Sequence, residues 1–195
     1  MVIDLVSPER VATAGRPDTA RRLPPPRWRA LVDGVRAVAA VAAEEFALRP
    51  LFHPHAGSFV EFEDEIERLL DGVAIDLCLD TGHCAYAGVD PVRLYERHAT
   101  RIPYLHLKDV DPAVHRRVLA GELDFWTAVA AGVFCPVGRG SVRFAALARA
   151  LERRGFDGWA TVEQDRDARA AGSALDDAIA CRRYLRSAGL AETRS

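Results

Sequence analysis

A parallel α/β fold assembled from repeated β/α units is the class this sequence predicts, on three observations. Short β-type runs at residues 49–53, 73–79, 102–107, 134–137 and 159–162 begin about 24 to 32 residues apart, the length of one strand, loop, helix and loop. Between them lie stretches whose apolar residues recur at helical spacing. His, Asp and Glu residues gather where four of the runs end, the side that faces the active site in parallel β/α folds. The alternation admits an open doubly wound sheet or part of a (β/α)8 barrel. A phosphate-cradling GxGxxG is absent after the first strand, and Gly138-Arg139-Gly140 follows a late one.

Taken in order, residues 1–6 (MVIDLV) read as one further strand, and the Arg-rich segment 10–29 as a loop, since Pro24-Pro25-Pro26 bars a continuous helix or central strand. Trp28, Leu31, Val32, Val35, Val38, Ala42 and Phe46 line one face of a long helix that starts after those prolines. A second helix uses Phe62, Ile66, Leu69 and Leu70 and ends at Gly72 as its C-cap. Asp90-Pro91 is an N-cap followed by proline at the first helical position, opening a helix through residue 99. Ser141 caps another that buries Phe144, Leu147, Ala148 and Leu151 and stops at Gly155. Residues 174–187 form the last helix, and 191–195 a frayed tail.

Composition narrows the function classes. The 195 residues allow one domain spanning the chain, and 49% hydrophobic with 28% charged residues is ordinary globular usage. A net charge of -2 provides no electrostatic footprint for nucleic acid or an anionic membrane, so the partners expected are small molecules. No apolar run approaches the roughly 20 residues of a membrane span, and residues 1–30 are too rich in Arg and Pro for a secretory signal, which predicts a cytoplasmic protein. Cys78, Cys84, Cys135 and Cys181 lack CxxC spacing and read as reduced, partly buried thiols. Lys108 is the only lysine beside 25 arginines, which suggests a position wanting a compact point charge.

The strand-end groups are His53-Pro54-His55, Asp80-Thr81-Gly82-His83, His106-Leu107-Lys108-Asp109 and Glu163-Gln164-Asp165. Converging on one mouth, they form a mixed nitrogen and oxygen set suited to Mn²⁺, Mg²⁺, Co²⁺ or Zn²⁺. Such an ion polarises a ketone and its neighbouring hydroxyl and stabilises the enediolate left when the α proton departs. Structural readings stand beside this: Asp80 as a helix cap, His106 as a hydrogen-bonded core residue, Glu163 paired with a rim arginine, His98 and His115 solvated on helices.

The runs HPHAG (53–57), LCLDTGH (77–83), HLKDVDPAV (106–114), GELDFWTAVAAGVF (121–134) and WATVEQD (159–165) resemble the sugar phosphate isomerase/epimerase superfamily, which has a xylose-isomerase-like TIM barrel. Over about residues 27–187 the likeness is strongest to its inosose (2-keto-myo-inositol) dehydratase branch. The resemblance implies a metal-dependent lyase of inositol catabolism, with Asp80, His106 and Glu163 as ligands of Mn²⁺ or Co²⁺ and a fourth ligand from the strand ending at His53. Many members carry Glu there; this chain has His53, with Glu61 as the loop alternative. It further implies that Glu163 is the base, that His83 and Lys108 face the substrate's hydroxyls or developing oxyanion, and that His55 protonates the departing hydroxide. An isomerase or epimerase using the same site, and a barrel fragment without turnover, are the rivals.

Two features depart from the family. Gly138-Arg139-Gly140-Ser141-Val142-Arg143 is basic where dehydratase-like chains are acidic. A full barrel takes about 250 residues, so the expectation is an incomplete barrel of about six β/α units lacking the first two. Such a piece is a truncated product, a fragment completed by another chain, or a domain that closes as a homo-oligomer.

Overall fold

The computed structural model describes residues 1–167 and 172–190. Along the chain run α1 (Pro8–Val11), α2 (Pro25–Phe46), β1 (Leu51–Phe52), α3 (Glu63–Gly72), β2 (Asp76–Asp80), α4 (Thr81–Tyr86), α5 (Pro91–His98) and β3 (Tyr104–Leu107). They are followed by β4 (Asp109–Val110), α6 (Pro112–Leu119), α7 (Phe125–Ala130), β5 (Phe134–Cys135), α8 (Phe144–Arg153), β6 (Trp159–Val162) and α9 (Ala174–Ser187). The tail expected at 191–195 lies outside the described residues.

Strands β1, β2, β3 and β6 form one parallel sheet in that order. Residues 1–6 add a single parallel bridge, Val2 to Phe52: the Val2 amide donates to Leu51 O at 2.7 Å and the His53 amide to Val2 O at 2.8 Å. Ser7 then caps α1 with Pro8 at its first position, which ends the extended run. The strand expected at 134–137 does not join this sheet. Its β5 portion pairs antiparallel with β4, because the Asp109 carboxylate collects the amides of Gly138, Gly140 and Val142 at 2.9 to 3.0 Å and folds that segment back.

Register divides the parallel sheet into two faces. Leu51 pairs with Asp76, Cys78 with Tyr104, Asp80 with His106 and His106 with Thr161. Alternation then puts His53, Cys78, Asp80, His106 and Glu163 on one face. Phe52, Leu77, Leu79, Leu105 and Leu107 take the other and are buried in the main core with Trp28, Val32, Ile66, Leu69, Tyr95, Phe144, Leu147 and Leu151. A second cluster, built on Tyr86, Val110, Phe125 and Phe134, packs beside the site.

The long helix α2 is buried over its first half only. Trp28, Val32 and Val35 are buried, whereas Val38 is 53% and Phe46 65% exposed, so the expected apolar face outruns the part of the sheet it packs on. Helix α3 ends at Gly72, with Val73 as its C-cap. Asp90 caps α5 through the Val92 amide, with Pro91 at the first position, as the sequence predicts. Among the described residues no helix is long and apolar enough to cross a membrane, and all four cysteines are free thiols.

Candidate metal centre

The end of β2 runs directly into α4, and Asp80 sits at the junction. Its Oδ1 accepts the Gly82 and His83 amides, both at 2.8 Å, capping the helix. Oδ2 is left facing the site, 3.5 Å from His106 Nδ1 and 3.6 Å from His53 Nε2. The capping reading and the ligand reading of Asp80 are thus both met, by different oxygens. Thr81 ties β2 to β3: its Oγ1 accepts the Lys108 amide at 2.9 Å and donates to Lys108 O at 2.7 Å.

His106 Nδ1 lies 3.1 Å from His53 Nε2 and 2.5 Å from Glu163 Oε2. Each of His53, Asp80, His106 and Glu163 offers one ligand atom within 4.8 Å of the others. Asp80 Oδ2 and Glu163 Oε2 are buried yet lack an aligned hydrogen-bond donor. Lys108 and His106 place positive charge beside these oxygens, and a cation held by the four side chains would add the direct bonds that the oxygens lack. The donor set of two imidazoles and two carboxylates fits a divalent cation such as Mn²⁺, Co²⁺ or Zn²⁺.

Lys108 is fully buried and central. Its Nζ contacts Asp165 Oδ2 at 2.9 Å, His83 Nε2 at 3.1 Å, Asp80 Oδ2 at 3.3 Å and Glu163 Oε1 at 3.5 Å. Desolvation pulls its pKa down, and Asp80, Asp165 and Glu163 more than compensate, so it is raised overall and the ammonium persists. Gly82 makes this approach feasible: a Cβ there would stand 2.4 Å from Lys108 Cγ.

The same charges set the other protonation states. Desolvation opposes the imidazolium of His106, but Asp80, Cys78 and Glu163 push its pKa up to about 12. Glu163 is lowered, first by its contact with His106, and stays ionised. Asp80 is held well below the carboxylate range because the Lys108 charge and the contacts of His106 and His53 outweigh the desolvation of full burial. Burial lowers His83 and His55, so both are neutral at pH 7. Their rings lie 3.8 Å apart between centroids, and His55 Nδ1 donates to Ala56 O at 2.7 Å, leaving Nε2 as an acceptor.

Glu61, the alternative to His53, is not brought to this cluster. Its carboxylate accepts the Gly15 amide at 2.6 Å, the Gly57 amide at 3.1 Å and Arg10 Nη2 at 3.2 Å, inside a buried network that includes Glu65. His98 and His115 are not merely solvated: His98 Nε2 meets Glu67 at 2.9 Å and His115 Nε2 donates to Tyr86 O at 2.9 Å. Among the described residues Glu163 pairs with His106 and Lys108 and with no arginine. Asp165, to which sequence reasoning assigned no role, is the shortest carboxylate contact of Lys108; its position two residues beyond Glu163 was the available signal.

The family description "Xylose isomerase-like TIM barrel" matches residues 5–187. An inosose dehydratase of Geobacillus kaustophilus (strain HTA426) is 40% identical over 152 residues, covering 76% of this chain and 49% of that protein. Rhizopine catabolism protein MocC of Rhizobium meliloti is 41% identical over 125 residues, 63% of this chain and 38% of that protein. Among solved structures, the probable 3-DHS dehydratase AsbF of Bacillus anthracis superposes with a TM-score of 0.62 at 20% identity, over 81% of this chain and 56% of that one. The 3-keto-D-glucoside 4-epimerase YcjR of E. coli does so with a TM-score of 0.59 at 17% identity, over 88% and 58%. The chain spans about half the length of the curated relatives it matches.

Proposed function

Because the chain belongs to the xylose isomerase-like TIM barrel family, we propose that it carries the catalytic residues of a cytoplasmic hydro-lyase acting on a cyclic polyol ketone of the 2-keto-myo-inositol type. The observation that carries this is the convergence of His53, Asp80, His106 and Glu163 on one point beside the Lys108 ammonium. The 40% identity to an inosose dehydratase supports the choice of dehydration over isomerisation.

His53, Asp80, His106 and Glu163 would hold the cation, Mn²⁺ by the mixed donor set. When bound it supplies Lewis-acid polarisation of the ketone and the adjacent hydroxyl. Glu163, ionised and half-exposed at the mouth, takes the proton next to the carbonyl. Lys108 balances the negative charge that develops on the substrate and gives up a proton to the leaving hydroxide. The acid role expected of His55 passes to Lys108: burial keeps His55 neutral with Nε2 unprotonated, so His55 accepts a hydrogen bond from a substrate hydroxyl, while His83, whose Nε2 is engaged by the Lys108 ammonium, orients that ammonium toward the substrate.

Incubating the purified protein and Mn²⁺ with 2-keto-myo-inositol tests the reading. Formation of a dione, lost in Glu163→Gln, is expected. An isomeric ketose would make the protein an isomerase or epimerase, and no turnover of any polyol ketone would contradict the assignment.

A further inference from the structure

Cys78 lies two residues before Asp80 on β2 and therefore on the same face, one layer deeper, about 6 to 7 Å along the strand. Its thiol is fully buried and touches His106. Sγ and one ring nitrogen each of His53 and His106 lie within 4.8 Å of one another. The same two histidines also belong to the carboxylate-bearing set, which Cys78 does not join. His53 is itself buried, and its Nδ1 has no hydrogen-bond partner.

We propose that the two imidazoles serve two overlapping seats: an upper one completed by Asp80 and Glu163 that takes hard cations, and a lower one completed by Cys78 that takes thiophilic cations such as Zn²⁺ or Co²⁺. The inference rests on the reading of this cluster as a divalent-cation site. Two nitrogens and one thiolate are a donor set that zinc prefers to carboxylates, and three protein ligands leave a fourth position open. Binding in the lower seat forms a sulfur–metal bond and releases two protons to solvent, one from the Cys78 thiol and one from the His106 imidazolium. It also moves the ion away from Glu163, so the identity of the bound metal decides where the charge sits relative to the base.

Cobalt-loaded protein reads the two claims separately. Ligand-field bands in the visible report a bound ion, and a sulfur-to-cobalt charge-transfer band in the near ultraviolet reports the thiolate. Both are expected in the wild type; Cys78→Ser is expected to lose the charge-transfer band and keep the ligand-field bands. Zinc-edge X-ray absorption of the unmutated protein should find one sulfur neighbour at about 2.3 Å, which needs no variant to fold. Ligand-field bands with no sulfur signature, or a charge-transfer band that survives Cys78→Ser, overturn the lower seat alone. Absence of any cobalt band overturns the lower seat and the cation site together.

Discussion

Strands β2 and β3 deliver their site residues from the middle of the sheet, whereas β6 delivers Glu163 and Asp165 from its edge. Asp80 is fixed by two helix amides, and Lys108 by the Thr81 hydroxyl and three carboxylates. Both are buried. On β6, by contrast, Trp159 is 76% and Val162 40% exposed, and the strand pairs with β3 alone among the described residues. Glu163, with 38% of its side chain exposed, is held by the very groups it serves, His106 and Lys108. One side of the mouth is therefore preorganised by the fold, and the other takes its order from charge.

Lys108→Met breaks the comparison most severely. Removing the cation leaves the buried Asp80 carboxylate uncompensated, a loss of about 4 kcal/mol in denaturant unfolding without metal. Added Mn²⁺ should recover part of it.

The next effect tests the loop beside β1. Burial pushes Glu61 up from 4.5 to about 7, outweighing the amides and Arg10 that favour its ionised form. A carboxyl raised on folding stabilises the native state fully below its unfolded pKa and loses that contribution as pH rises to the folded value. Stability should therefore fall between about pH 4.5 and about pH 7, by roughly 3 kcal/mol at most. Glu61→Gln should flatten that part of the unfolding profile; an unchanged slope would assign it to another group.

Gly82→Ala follows. A Cβ 2.4 Å from Lys108 Cγ displaces that side chain, costing about 2 kcal/mol and lowering turnover, measurable by thermal unfolding and by dione formation. Glu163→Gln sharpens the contrast from the edge side. It should shift stability by less than about 0.5 kcal/mol, as expected for a half-exposed side chain, while cutting turnover by about 100-fold or more. Equal stability losses for Gly82→Ala and Glu163→Gln would erase the distinction between the centre and the edge.

Much of the fold was legible because its signals are local. Apolar runs mark the parallel strands, and Asp90-Pro91 marks the start of α5. The candidate site was legible in part for a related reason: strand ends are fixed by the same runs, so the alternation marks the four strand-end groups, while the choice of Asp80, His106 and Glu163 within them, with His53 or Glu61 as the fourth, came from the family resemblance. What the sequence did not disclose depends on distant partners. The antiparallel turn of β5 is imposed by the Asp109 side chain reaching residues 138–142. The diversion of Glu61 depends on Arg10, 51 positions earlier. The bare second half of α2 carries a regular apolar pattern, and periodicity does not tell whether a partner surface extends far enough to cover it.

Direct titration of the protein with Mn²⁺, followed by calorimetry or by loss of the free-ion electron resonance signal, tests the central claim. The geometry predicts a single saturable ion per chain, whose binding is abolished by Asp80→Ala and weakened at least about tenfold by Glu163→Gln. Saturable binding that is unchanged in both variants, or no binding by the wild type, would contradict it.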